Sequence, residues 1–431
     1  MMLSLYRGAT VLAAPFIQYY LNKRKAEGKE DAARFSERLG QSSRPRPNGT
    51  LIWMHAASVG ESLSLLPLID KLLADLANMQ ILVTTGTTTS AKLMGDRLPT
   101  RAFHQYIPVD RLSYVRRFLD HWRPDLTLWA ESEFWPNLIT ETHDRQIPMI
   151  LINGRISPKA FSGWQKAQRL IARLLRCFDL CLGQSDEDVE RLLRLGAKSS
   201  KCVGNLKFAV PALPVVEADL AELQSKLSDR PRWLTASTHP GEESIVAQVH
   251  RDLRSTHAGL LTIIVPRHPA RGSEIAQALR DQGLTVAIRS RNESLAAGTD
   301  IYIADTMGEM GLFFRLADIV FMGKSLVPLG GQNPLEAFRL NCAVIHGPHM
   351  MNFQWMSEEM ARMDCAVTVQ DQASLAAAAN ELLIDPGRCR AMADNGTAFV
   401  ESQAQVVDLI ADEVKAVLAK HKTKALSDAA A

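Results

Sequence analysis

Residues 51–85 read LIWMHAASVGESLSLLPLIDKLLADLANMQILVTT. The opening LIWMHAA, 51–57, is a short apolar run of the kind that forms a buried strand. Residues 61–77 carry apolar side chains at helical spacing, and a second apolar run follows at 80–85. Strand, helix, strand within so few residues is the repeating unit of a parallel sheet covered by helices.

Working outward, the same rhythm continues. Further strands are predicted at 125–130, 148–153 and 179–183, with helices at 88–96, 110–121, 134–145, 163–177 and 185–195. A proline-bearing, non-periodic stretch at 208–219, FAVPALPVVEAD, reads as a linker. The rhythm then restarts, with strands at 232–236, 260–265, 284–288, 299–303, 317–322 and 342–346. Helices are predicted at 242–254, 271–282, 307–315, 334–340, 372–385 and 387–420. A chain of 431 residues exceeds the usual size of one hydrophobic core. The expected fold class is therefore α/β, with two Rossmann-like doubly wound domains, 23–212 and 213–431, preceded by an N-terminal segment, 1–22. Such sheets bind ligands beyond the carboxyl ends of their strands, and two of them facing each other would form a cleft.

Composition narrows the class. Apolar residues at 46% and charged residues at 22% suit a globular enzyme, and a net charge of +2 gives no bulk electrostatic basis for a nucleic acid partner. The six cysteines form no CxxC pair and lie mostly in apolar runs, as buried thiols do. The sequence lacks HExxH and GxxxxGK[ST], and no GxGxxG follows the first strand. This disfavours zinc proteolysis, P-loop hydrolysis and NAD chemistry. Residues 3–21 are mostly apolar and are followed by Lys23, Arg24, Lys25 and Lys29. Residues 1–50 hold nine basic and four acidic side chains. A signal peptide has its basic region first. This order predicts an uncleaved anchor that spans the bilayer or lies in its interface, with an ordinary packed helix as the alternative.

The loops after the predicted strands hold the unusual residues. Ser58 and Glu61 have capping-box spacing, so Glu61 either caps its helix or serves as a general base. Glu131 and Glu133 leave a strand together. If close, they raise one pKa; otherwise they complement the next helix dipole. Lys207, just before the linker, can reach toward a phosphate. In the second half, Arg267 and His268 leave a strand between Pro266 and Pro269, a position suited to phosphate recognition. Met307-Gly308-Glu309 opens a helix. In Gly330-Gly331-Gln332-Asn333-Pro334-Leu335-Glu336, Asn333 fits an N-cap, Pro334 the N1 and Glu336 the N3 position, while the glycines allow close backbone approach. Lys166, Arg169, Arg173 and Arg176 share a helix face that suits either solvent or anionic headgroups.

Taken together, His55-Ala56-Ala57-Ser58-Val59-Gly60-Glu61, Glu131-Ser132-Glu133-Phe134-Trp135-Pro136-Asn137, Gly204-Asn205-Leu206-Lys207-Phe208, Pro266-Arg267-His268-Pro269 and the Gly330–Glu336 stretch resemble the bacterial Kdo (3-deoxy-D-manno-oct-2-ulosonic acid) transferases of lipopolysaccharide assembly. The resemblance runs in order along almost the whole chain. Gly154 and Ala209 depart from the family pattern. The resemblance implies a GT-B fold and an inverting, metal-independent transfer of Kdo from CMP-Kdo to a lipid A precursor, with no cofactor. It also implies attachment to the cytoplasmic side of a bacterial inner membrane. Glu61 would be the general base, with Glu131 and Lys207 supporting the transition state. CMP would be held by Pro266 and Arg267, by Met307, Gly308 and Glu309, and by Asn333, Pro334, Leu335 and Glu336. The competing readings are a non-hydrolysing sugar-nucleotide epimerase of similar architecture and a membrane-tethered CMP-binding module without catalysis.

Overall fold

The computed structural model describes residues 2–42, 44–227 and 230–430. They form two compact units, one built from the residues through Val210 together with those from Gln403 onward, the other from Pro211–Ser402. The sheet of unit 1 holds β1 (Thr50–His55), β2 (Met79–Thr85), β3 (Ala102–Tyr106), β4 (Leu126–Ala130), β5 (Met149–Gly154), β6 (Leu180–Gly183) and β7 (Ser200–Cys202). Its order is β3-β2-β1-β4-β5-β6-β7 and every pairing is parallel. The sheet of unit 2 holds β8 (Arg232–Thr238), β9 (Leu261–Pro266), β10 (Val286–Ile288), β11 (Ile301–Ile303), β12 (Ile319–Met322), β13 (Ala343–His346) and β14 (Ala366–Thr368). Its order is β10-β11-β9-β8-β12-β13-β14, again all parallel.

These orders position the sites. The strand order reverses between β1 and β4 in unit 1 and between β8 and β12 in unit 2. At such switch points the loops at the carboxyl ends diverge and leave a crevice. In the quoted stretch, Leu51, Ile52, Trp53 and Met54 are fully buried, with one set packing on each face. The following helix, Val59–Asp75, turns Leu65, Leu68, Ile69 and Leu72 onto the sheet.

Several expectations change. The C-terminal helix Val406–Ala430 belongs to unit 1 rather than to the expected 213–431 domain. Val406, Ile410, Val414 and Leu418 join the core of the helix Val59–Asp75, and Lys415 Nζ lies 2.9 Å from Asp75. The predicted helix 387–420 is two helices, with the break at Gln403–Gln405 where the chain passes from one unit to the other. The predicted linker runs into a helix, Glu217–Leu227. β3, β7 and β14 were not expected. All three are sheet edges, short or carrying polar residues such as His104 and Gln105, so they lack the apolar signature of central strands. The basic helix 163–177 is broken into Pro158–Gln165 and Gln168–Leu175, although Lys166, Arg169, Arg173 and Arg176 are all exposed.

The N-terminal segment is two helices, Met2–Leu12 and Ala14–Ala26, and the first docks on unit 1. Tyr6 Oη donates to Asp110 at 2.9 Å and Arg7 Nη2 pairs with Glu141 at 3.0 Å. Leu3 and Leu21 are buried, yet Leu5, Val11, Leu12, Phe16, Tyr19 and Tyr20 face solvent. Among the described residues no helix is long and apolar enough to cross a membrane.

Candidate active site

In unit 1 the loops after β1, β4 and β7 bring Glu61, Glu131 and Lys207 together. Ser58 caps the helix Val59–Asp75, its Oγ accepting the Glu61 N–H at 3.3 Å. The Glu61 carboxylate returns to the cap. Oε1 accepts from Ser58 Oγ at 2.8 Å, and Oε2 accepts the N–H of Ala57, not of Ser58, at 2.8 Å. The capping reading is thus realised in a variant geometry. It does not exhaust the residue, for Glu61 is buried and burial raises its pKa. The negative charges of Glu131 and then Glu133 push the same way, against the hydrogen bonds from Ala57 and Ser58.

Glu131 adopts a left-handed φ of 55° as its N–H donates to Ile152. Its Oε1 accepts from Lys207 Nζ at 2.9 Å. The lysine expected to reach toward a phosphate thus holds a carboxylate of its own unit. A polar chain fixes it there. Asn205 caps the turn Leu206–Ala209 by accepting the Lys207 N–H at 3.0 Å. Asn205 Nδ2 donates to Gln184, whose Nε2 donates to the Asn153 carbonyl, and Asn153 Oδ1 accepts the Leu206 N–H. His55, which opens the family-like motif, is structural. It is buried against Trp129 with ring centroids 4.6 Å apart, its Nδ1 lies 3.1 Å from Thr84 O, and burial lowers its pKa to about 4.

In unit 2 Arg267 and Glu336 lie near enough for the arginine charge to act on the carboxylate. Pro266 ends β9 in the core, and the exposed Arg267 follows. Burial raises the Glu336 pKa, while the charges of Arg339 and Arg267 lower it. The helix Leu335–Phe338 is a single turn whose N-cap is Pro334, one residue later than expected, and Asn333 precedes it with its Oδ1 accepting the Leu335 N–H at 3.2 Å. Pro334 and Leu335 are buried, leaving Asn333 and Glu336 as the polar groups this stretch can offer a ligand. Gly330 and Gly331 have φ values of 97° and 78°, and a Cβ on either would meet Asn352 or Met350 within 2.5 Å. Their left-handed backbone is what demands glycine, since the atoms a Cβ would meet are the ends of side chains that can move aside. Glu309 stands at the N-cap of the helix Met310–Leu316. Its carboxylate takes Arg289 Nη2 at 2.7 Å and the Thr306 hydroxyl, so this turn offers an anion only backbone. Met307 is solvent-exposed, and Gly308 has a φ of 87°.

Sequence reasoning missed Glu242, buried at the start of the helix Glu242–Arg254. Its Oε2 accepts the N–H groups of His239 and Lys324 at 2.9 and 2.7 Å, and its Oε1 those of Ser325 and Leu326 at 3.1 and 3.2 Å. It ties the loops after β8 and β12 together at the switch point. Its only sequence signal is an acid in a first helical turn.

With this geometry in place, comparison with known proteins is decisive. A 3-deoxy-D-manno-octulosonic acid transferase of Rickettsia bellii is 34% identical over 94% of this chain and 97% of its own. The chain belongs to the 3-deoxy-D-manno-octulosonic acid transferase family. One from Haemophilus influenzae is 31% identical over 89% of this chain and 91% of its own. The family model for 3-deoxy-D-manno-octulosonic-acid transferase (kdotransferase) matches residues 33–210. A crystal structure of a putative UDP-N-acetylglucosamine 2-epimerase from Listeria monocytogenes matches 86% of this chain and 97% of its own, with a TM-score of 0.62 at 12% identity. That likeness shows a GT-B fold of two Rossmann-like units, and fold alone does not select epimerase chemistry.

Proposed function

We propose that this chain transfers Kdo from CMP-Kdo to a hydroxyl of a lipid A precursor, lipid IVA, in lipopolysaccharide inner-core assembly, with inversion and without a metal. Family membership across nearly the whole chain supports Kdo transfer, and the observation that carries the mechanism is Glu61. A buried carboxylate with a raised pKa, anchored at Ala57 and Ser58 beside Glu131, is set to take a proton from an attacking hydroxyl. General base catalysis of this kind contributes about 10²–10⁴-fold. Lys207 neutralises Glu131 next to the reacting centre. The transition state is oxocarbenium-like at the anomeric C2 of Kdo. The leaving CMP gains charge as a diester becomes a monoester, and the exposed Arg267 is the group placed to stabilise it. Asn333 and Glu336 offer the remaining polar contacts to the nucleotide, with Glu336 suited to a ribose diol. A single phosphate, with no pyrophosphate to bridge, does not demand a magnesium ion.

We further propose attachment to the inner membrane on its cytoplasmic side, in the interface rather than across it. The apolar face of residues 5–20 turned to solvent supports this. So does the adjacent groove lined by Val11, Arg111, Arg116 and Arg117, which pairs apolar and cationic surface. The test is mass spectrometry of tetraacylated lipid A precursor incubated with enzyme and freshly made CMP-Kdo, with and without EDTA. Kdo adducts at equal rates are expected. Consumption of CMP-Kdo without an adduct would overturn the acceptor, and loss with EDTA would overturn metal independence.

A further inference from the structure

β12 ends at Met322 and the chain continues Gly323-Lys324-Ser325. Lys324 has a φ of 63°, a left-handed conformation that a residue with a side chain adopts only where its surroundings impose it. Two hydrogen bonds impose it here. Its N–H donates to Glu242 Oε2 at 2.7 Å, and its carbonyl accepts the N–H of Gly331 at 2.9 Å. Because His239 hangs from the same Glu242 oxygen, Lys324 and His239 are held side by side at the switch point. From the other side of β8, the Arg267 N–H donates to the Thr238 carbonyl at 3.0 Å, and the His268 ring lies 6.0 Å from the His239 ring. Gln332 Nε2 is 3.5 Å from His239 Nε2. Burial holds the His239 pKa below its usual value, and the nearby charges of Lys324, His268 and Arg267 add to the effect. Two cations and two imidazoles therefore converge beyond the ends of β8, β9 and β12. The half-buried Lys324 side chain has no acidic partner among the described residues.

We propose that Lys324 is a donor-binding residue whose ammonium, with Arg267, receives the phosphate of the sugar nucleotide. This rests on the reading that unit 2 takes a CMP-linked donor. A position that would be relaxed as glycine instead carries an unpaired cation beside the group already assigned to the phosphate. The glycine loop fastened to its carbonyl leads directly to Asn333 and Glu336. A bound phosphate would supply the missing counter-charge to this cluster.

The test is calorimetric titration of the full chain with CMP and with cytidine, for the wild type and for Lys324→Met, Lys324→Gly and Lys324→Arg. Methionine keeps the strained φ and removes the charge, glycine removes both, and arginine keeps both. CMP affinity is expected to fall about tenfold or more in the methionine and glycine variants, as for loss of a charge-assisted contact. Cytidine affinity should stay unchanged, the arginine variant should hold most of its CMP affinity, and the melting temperature should rise only for glycine. Unchanged CMP affinity in Lys324→Met overturns the proposal, as does an equal loss for cytidine. A wild-type chain that fails to bind CMP overturns instead the donor reading on which it rests.

Discussion

The Lys207 ammonium lies 2.9 Å from Glu131 Oε1, although the two residues are 76 apart in the chain. The pair fixes the Glu131 carboxylate beside Glu61, whose pKa is raised first by burial and next by the Glu131 charge. Glu61→Gln should therefore abolish transfer while CMP still binds. A carboxylate whose pKa rises on folding destabilises the folded chain when ionised. That cost is present above the folded pKa and vanishes below the unfolded one. The glutamine variant should thus melt at or above the wild-type temperature at neutral pH. Glu61→Ala should lose about 1 kcal/mol through the cap. Kinetics and thermal unfolding of both variants separate catalysis from capping, and residual transfer near the wild-type rate in Glu61→Gln would remove the base.

Glu131 and Glu61 are coupled through their like charges. A general base works only when deprotonated, so the wild-type rate should fall as pH drops through the raised Glu61 pKa. Glu131→Gln removes one of the charges that raise it, and the acid limb of the pH–rate profile should move to lower pH even though the maximal rate falls. A limb that stays in place would show that the two carboxylates do not interact.

Glu242 accepts four backbone N–H groups from two loops of unit 2. Glutamine offers one acceptor oxygen and turns an NH₂ toward two of those donors. Each buried donor left unpaired costs about 1–3 kcal/mol. Glu242→Gln should therefore lose roughly 3 kcal/mol or more of unit 2 stability, and hydrogen exchange should accelerate in peptides covering 232–242 and 319–326. Unchanged protection there would show that the clamp is dispensable.

Gly331 has a φ of 78°, and a Cβ would lie 2.4 Å from Met350 Sδ. Gly331→Ala should cost about 1–2 kcal/mol for the left-handed backbone, while the flexible Met350 side chain can move aside. Adding Met350→Ala leaves the φ penalty in place and introduces a cavity, so the double variant should not return to wild-type stability in thermal unfolding.

Leu12 and Phe16 are 82% and 77% exposed. Leu12→Ser with Phe16→Ser should leave the melting temperature unchanged and weaken co-sedimentation with anionic vesicles by roughly tenfold or more, given about 25 cal/mol per Å² of apolar surface withdrawn from water. Equal sedimentation would place the membrane contact elsewhere.

The sequence by itself determined the central strands, the helices over them and the loops in which unusual residues gather. Apolar runs such as 51–57 and helical spacing such as 61–77 are local patterns, and local patterns survive in a linear reading. The motif from His55 to Glu61, together with those around Glu131, Lys207, Arg267 and Glu336, was also legible because each lies in one short stretch. Edge strands such as Ala102–Tyr106 were not, because their stability comes from a neighbour's free edge rather than from their own apolarity. Only the tertiary structure decided that Lys207 meets Glu131, that Glu242 ties the loops after β8 and β12, and that residues from Gln403 onward return to unit 1. Charge pairing and core closure depend on distance in space, and a folded chain sets that distance independently of separation along the sequence.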